Sequence, residues 1–512
     1  MAKRDIYAKS DLKVTVLEEP QTPSSCTTLQ SPLSCTTLGS SDPTKYWNDH
    51  FAQHPAKVTT QVLDYSARHW GSAKKILASL VAIASFFVIT LATSIYIGGI
   101  SEIRVEFHVG STLAISPVTL YAIGFTIGPL LSSALSEEFG RQWALKGSLL
   151  LHLVFTIVGA TASNFRTMAV SRALCGILGS PLVTILVGVL NDIWKLPEDR
   201  LAVPIFFLYG LGGIAAPTVG PIIGESIVGF GGWRWTFWLI TALDAVCFLA
   251  ALTIGETYEP EVRRKALGLP RCKWRKVLGP ALRRPFHMLW VEPIIFPTTS
   301  ITVAGQVVLF VLYAAFPIML KEVYGFSSYQ TGLAFLPQLV AGVLAFLLLA
   351  FIEERRRATV EDEPEFILVG GKLAGTAMWT SLIILAWLPR HDVHCAWALL
   401  ASAVFGFGFA LSQLVYARYK NEVYGAELGA SVLAIDVAMR YGVSSVFPLF
   451  TIQFVERVGF HWVMSVFAAI HLSLWTVPWA LQKHGAALRQ KSRYVNCRSH
   501  TSEDVIDGKL AA

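Results

Sequence analysis

Charge is scarce in this chain. Asp, Glu, Lys and Arg make up 15% of its residues against 53% that are hydrophobic. The mean hydropathy is +0.52, so a large soluble protein is excluded. Several chemistries are missing as well. The seven cysteines form no Cys-x-x-Cys or other metal-ligand spacing. Cys26, Cys35 and Cys497 fall in polar end segments, and Cys175 and Cys247 lie inside apolar runs, so neither a metal site nor a disulfide framework is expected. No Gly-x-x-x-x-Gly-Lys-Ser/Thr string occurs, so nothing points to ATP as the energy source. There is no Asn-x-Ser/Thr sequon, and N-glycosylation is not expected. No nucleophile–base arrangement emerges, and an enzyme reading has no support. The polar start, about seventy residues long, shows no secretory signal peptide.

What is present is a set of twelve long apolar runs. They begin near Ile76, Thr112, Trp143, Met168, Leu201, Trp233, Ile294, Ser328, Val369, Cys395, Glu427 and His461, and each is roughly 20 to 25 residues long, enough to cross a ~30 Å hydrocarbon layer as a helix. Helices satisfy the backbone of such a span internally. The runs divide six and six around a basic hinge at 256–289. The expected division is a disordered tail at 1–75, a six-helix bundle at 76–255, the hinge, a second bundle at 290–483 and a tail at 484–512. The Ser/Thr/Pro-rich first tail cannot bury enough apolar area to offset its ordering entropy. It repeats Ser-Cys-Thr-Thr-Leu at Ser25 and Ser34, which reads as low-complexity drift, with a modification site as the alternative.

With an even number of spans the two termini share a side. That side, with the loops at Arg141, Arg200, the hinge, Arg355 and Arg418, holds nearly all of the 42 Lys and Arg. The opposite side holds only Arg104, Arg166, Arg234, Lys321, Arg390 and Arg457. Cationic loops stay cytoplasmic, so both termini are expected in the cytoplasm. The net charge of +7 is thus a sign of topology and not of nucleic-acid binding. Two cations, Arg172 and Arg440, remain inside spans.

Four strings stand out from the apolar background. Span 5 reads Gly212-Gly213-Ile-Ala-Ala-Pro217-Thr-Val-Gly220-Pro221-Ile-Ile-Gly224. Small residues on one face allow close helix approach, and prolines at Pro217 and Pro221 remove backbone donors and bend a helix. After span 2, Glu137-Glu138-Phe139-Gly140-Arg141 offers a turn glycine and charges for bonds across helix ends that would break as the halves rock. Arg172 precedes Gly176 and Gly179 in span 4. It lies about one turn from the outer end, where snorkelling competes with a functional reading. Span 11 places Asp436 and Arg440 on one face at i, i+4, either as a neutralised pair or with Asp436 titrating.

These strings resemble the major facilitator superfamily, and more narrowly its fungal twelve-span drug:proton antiporters, a group that exports polyamines, drugs and mycotoxins. The resemblance covers roughly 69–485. Gly220, Pro221 and Gly224 are similar to the family's antiporter motif, with Glu225 replacing its last glycine. The Gly140–Arg141 loop is similar to the superfamily's cytoplasmic loop, with Glu138 and Gln142 where basic residues are usual. Arg172 to Pro181 resembles the intramembrane Arg motif, and Asn191-Asp192-Ile193-Trp194 closes span 4 as in the family. Gly232-Trp233-Arg234-Trp235 resembles its entry into span 6, read as an interfacial aromatic belt. Gly255-Glu256-Thr257-Tyr258-Glu259 resembles its string after span 6. Asp436 stands where Asn is frequent.

The resemblance implies an all-α membrane protein, with twelve transmembrane helices in two pseudo-symmetric six-helix bundles and alternating access between them. It implies a proton-coupled efflux pump for a drug or secondary metabolite, with no cofactor and the proton gradient as energy source. The expected partners are a small molecule, protons and the bilayer, with a monomeric assembly and no nucleic acid. The plasma membrane is the expected location, with a vacuolar membrane as the alternative. Arg172, Asp436, Arg440 and Glu225 are the candidates for the substrate and proton pathway. Glu137, Gly140, Arg141, Gly176, Gly213, Pro217, Gly220, Pro221 and Gly224 are the candidates for gating and helix packing. His152 and Asp244 are read as satisfied polar contacts on peripheral helices, with a proton relay as the alternative, and for Glu225 the alternative to a pathway role is that it faces water. Import of a nutrient and a non-transporting solute sensor are the competing functions. The few cavity-side acids weigh against a polyamine and toward a neutral or acidic amphipathic compound.

Overall fold

Continuous apolar sequence with few charges leaves the backbone one local solution, the helix, and the computed structural model of the chain is built from helices accordingly. It describes residues 67–195, 199, 201–266, 283, 285–359 and 363–492. The first tail to residue 66, the distal second tail and the hinge residues Arg271, Lys273, Arg275, Lys276 and Arg284 lie outside the described residues, as does the Arg200 loop position.

Among the described residues twelve helical segments are long and apolar enough to span a membrane. Spans 1 to 6 are Ser72–Glu106, Ser111–Leu130, Arg141–Ala160, Phe165–Ile193, Pro204–Gly231 and Arg234–Leu252. Spans 7 to 12 are Ile295–Tyr324, Ser328–Arg356, Pro364–Trp387, Ala396–Gly425, Ser431–Val458 and Phe460–Lys491. The last helix runs into the segment assigned by sequence to the C-terminal tail.

Glycine sets how closely the first six spans approach. A Cβ on Gly176 would collide with the Tyr121 carbonyl, and one on Gly124 with the Gly176 backbone, so spans 2 and 4 touch main chain to main chain. Gly220 and Gly224 bear in the same way on Ser94 and Ile95 of span 1, and Gly213 on the Phe86 ring. The antiporter-like string therefore forms the seam between spans 5 and 1. Pro217 and Pro221 lie inside one helix that runs from Ala202 to Gly231.

Among the described residues two seams join the halves. Span 2 meets span 11, where Thr119 Oγ1 donates to the Ser445 carbonyl at 2.8 Å and the Phe125 and Tyr441 rings stand 4.7 Å apart. Span 5 meets span 8, with Phe207 against Phe346 and Gly342 against Ile214.

Two readings of the sequence need correction. Arg418 is not in a loop: span 10 stays helical past it, and the chain turns at Gly425, where φ is +68°. Trp233 is not part of a lipid-facing belt. It is buried at 2% exposure, its backbone N–H donates to Glu102 at 2.7 Å and its indole to Glu106 at 2.7 Å. Trp235 and Trp238 of the same string are exposed.

Candidate functional site

The turn into span 3 is the first of the predicted elements to acquire partners. Gly140 has φ +87°, the conformation glycine adopts without strain. Immediately after it the helix begins with N–H groups that have no partner within the helix. The Glu256 carboxylate supplies one: Arg141 N–H donates to it at 2.9 Å, as do Thr257 and Tyr258 at 3.1 Å each. The Arg141 guanidinium bonds Asp192 at the end of span 4, and Thr257 Oγ1 donates to the same carboxylate at 3.3 Å. The expected bonds across helix ends thus run from Arg141 to Asp192 and Glu256. The side chain of Glu137 is outside those the structure describes.

Arg172 is 4% exposed, so it does not snorkel. Its guanidinium donates to the Ala92 carbonyl at 2.8 Å and stands 4.3 Å from the centroid of the Tyr121 ring, with Tyr96 and Phe237 at 5.3 and 5.8 Å. Aromatic faces carry negative partial charge and stabilise a desolvated cation. Its Nε has no hydrogen-bond partner among the described residues. Arg172 lines a hollow with Tyr96, Thr156, Cys175 and Thr236.

In the second half Asp436 and Arg440 do approach, with Nε 3.5 Å from Oδ2, as their spacing predicts. The dominant partner is another residue. Lys420, fully buried in span 10, pairs directly with Asp436 Oδ1. Thr299 and Thr302 of span 7 donate to the same oxygen at 3.1 and 3.0 Å. Gln413 joins the group, accepting from Arg440 and donating to the Thr302 carbonyl at 3.2 Å. Three spans therefore converge on one buried carboxylate flanked by two cations, with a formal charge of +1. Reading by charge places Lys420 in a cytoplasmic loop and misses it. The available signal was its spacing: Gln413 and Lys420 are seven apart, two helical turns, on one face.

Glu225 does not face water. Its side chain is 11% exposed and lies 3.8 Å from Lys321 of span 7, across the junction between halves. His152 and Asp244 make the polar contact expected of them: both side chains are fully buried and bonded to each other at 2.7 Å. An aromatic series connects the two charged centres. Tyr121 lies 5.4 Å from Phe125, and Phe125 meets Tyr441, the neighbour of Arg440. Beside it a second hollow, between the halves, is lined by Thr93, Ile97, Val118, Phe310 and Tyr313. Among the described residues no group of His, Cys, Asp and Glu could hold a metal ion.

Known proteins share both sequence and architecture with this chain. The family model described as Major Facilitator Superfamily matches residues 82–448. A major facilitator superfamily multidrug transporter, mdrA of Aspergillus fumigatus, is 30% identical over 453 residues, covering 83% of this chain and 73% of that protein. The MFS-type efflux pump MFS2 of Trichophyton rubrum is 30% identical over 451 residues, 83% of this chain and 75% of its own. Polyamine transporter 4 of Saccharomyces cerevisiae is 26% identical over 476 residues, at 83% and 71%. Among solved structures, the proton:xylose symporter XylE superposes with a TM-score of 0.61 at 15% identity, over 81% of this chain and 97% of that one. That likeness shows the twelve-helix, two-bundle fold. The chain is a non-enzymatic, multi-pass membrane transporter, and it belongs to the major facilitator superfamily.

Proposed function

We propose that this transporter exports a neutral or acidic amphipathic small molecule, in exchange for protons, by alternating access of its two halves. The observation that carries the substrate class is the charge of the interior. Arg172 faces aromatic rings in one half, and Lys420 and Arg440 outnumber Asp436 in the other. A polyamine would meet a net positive cavity, whereas an aromatic or carboxylated compound would find π faces and cations. Export is supported by the packed glycine–proline seam of span 5 and by relatives named as efflux pumps. Asp436, Arg440, Arg172 and Glu225 are assigned to the pathway, and Lys420 joins them. The plasma membrane is the assigned location, with both termini cytoplasmic and the protein acting as a monomer.

The test uses protein reconstituted in vesicles whose lumen corresponds to the cell exterior, with Nile red as the transported probe. An acidic lumen should drive its accumulation, and Asp436→Asn should remove the dependence on the gradient. Equal gradient-driven uptake in that variant would exclude Asp436 as the coupling group. Uptake that survives collapse of the gradient would favour facilitated diffusion.

A further inference from the structure

The pair of His152 in span 3 and Asp244 in span 6 has no part in this reading, yet its hydrogen bonding fixes where a proton sits. The Tyr121 hydroxyl donates to the Ile89 carbonyl at 2.9 Å and also lies 3.1 Å from His152 Nε2. A phenol has one proton. If that proton goes to Ile89, His152 bonds the Tyr121 oxygen as an Nε2–H donor; if it goes to His152, Nε2 accepts and the ring carries its own proton on Nδ1. On its other side His152 Nδ1 lies 2.7 Å from Asp244 Oδ2. Either way a proton lies between them: an added one in the first arrangement, written imidazolium–carboxylate or imidazole–carboxylic acid, and the ring's own Nδ1–H in the second. Without it a ring lone pair and a carboxylate would face each other in a fully buried site, which the low dielectric there makes costly. Asp244 Oδ1 has no hydrogen-bond partner among the described residues, so the carboxylate lacks the several donors that hold Asp436.

The surroundings suit a group that gains and loses this proton. Tyr121 faces the pair from span 2, and Arg172 and Cys175 from span 4. Cys247 is the next titratable group along span 6, and span 1 presents the Ile89 carbonyl. Arg172 is the nearby cation, one Tyr121 ring away, and it offsets the negative charge that appears when the proton leaves. Gly179 makes room for the imidazole, since a Cβ there would stand 2.6 Å from His152 Cδ2. Buried His and acidic residues in membrane spans are the usual material of proton relays.

We propose that His152 and Asp244 form a proton-binding site in the first half of the transporter. The pair takes up one proton as the Tyr121 hydroxyl turns from His152 Nε2 to the Ile89 carbonyl, both of which it reaches in this packing. When spans 3 and 6 open to water, the bond between Nδ1 and Oδ2 breaks, the shared proton passes to water, and a neutral imidazole and a carboxylate remain. The site stands whether or not export is proton-driven.

The experiment is a proton-uptake titration, with infrared difference spectra between acid and alkaline buffer, on the whole protein in lipid bilayers. Wild type should show paired histidine-ring and carboxyl signals. His152→Gln and Asp244→Asn should each abolish both and bind a single proton fewer per molecule. The double variant, which keeps a neutral hydrogen-bonded pair, guards against misfolding and should show the same loss. Unchanged uptake and spectra in the folded double variant would overturn the proposal and leave the pair as a packing contact. Because no substrate or gradient enters the measurement, a failure of proton-driven export would leave the titration and the spectra unchanged.

Discussion

At the scale of single residues, Lys420 decides what the second half contains. Asp436 has two hydroxyl donors and a longer contact to Arg440, but Lys420 is its direct ionic partner. Breaking a buried pair by removing one partner typically costs roughly 3–5 kcal/mol, because the remaining charge stays desolvated. Lys420→Met is therefore expected to lower the melting temperature in detergent markedly and to abolish transport. Adding Asp436→Leu removes the orphaned charge and should restore much of the stability while transport stays lost. Recovery of transport in the double variant would show the pair to be scaffolding. The Asp436–Arg440 contact was legible, since i, i+4 spacing is a local property. Lys420 was not: counting cations assigns it to the cytoplasm, and only the true end of span 10, at Gly425, shows that it is inside. For Arg172 the position was legible, but its aromatic surroundings come from three other spans.

At the scale of elements, the turn between spans 2 and 3 depends on two residues far apart in sequence. Gly140 supplies the positive φ, and Glu256, after span 6, accepts from the first N–H groups of span 3. A carboxylate at a helix N-terminus also meets the positive end of the helix dipole. Loss of such a cap costs about 1 kcal/mol, so Glu256→Gln should lower stability modestly. Gly140→Ala should lower it more, because the added Cβ both strains the backbone and collides with the Glu256 carboxylate. Thermal unfolding in detergent checks both, and an unaltered melting temperature for Gly140→Ala would mean the turn is not rigid. The number and placing of the spans were readable from length and hydropathy, but their ends were not, since span 10 runs past Arg418 to Gly425. Their contacts were not. The glycines of span 5 announced a close approach, but that they meet Ser94 and Ile95 of span 1 is a fact of packing, invisible to a one-dimensional pattern. The joining of Gly140 to Glu256 is of the same kind.

At the scale of the whole molecule, the two halves touch along spans 2 and 11 and along spans 5 and 8, and rocking requires those seams to part on one side at a time. Beside the second seam, toward the C-terminal end of span 5, Glu225 lies 3.8 Å from Lys321 of span 7. Lys321 is 43% exposed, so the pair is a weak latch, and partly exposed pairs contribute roughly 0.2–1 kcal/mol. Glu225→Gln should shift the resting equilibrium by a few-fold at most toward the state in which the halves part at this end, read as faster labelling of a cysteine placed in the inter-half hollow. The first seam allows a sharper test. Gln453 of span 11 hydrogen-bonds Thr112 at the start of span 2, and Thr112 is exposed. In a protein with its native cysteines replaced by serine, Thr112→Cys with Gln453→Cys places two thiols within reach of a short bifunctional reagent. If the halves open outward by separating these ends, cross-linking should stop Nile red transport and a cleavable linker should restore it on reduction. Each single cysteine variant treated with the same reagent should transport normally. Full transport after complete cross-linking would mean that spans 2 and 11 stay together through the cycle. The outward opening would then have to come from spans 5, 7 and 8 alone, where Glu225 and Lys321 meet.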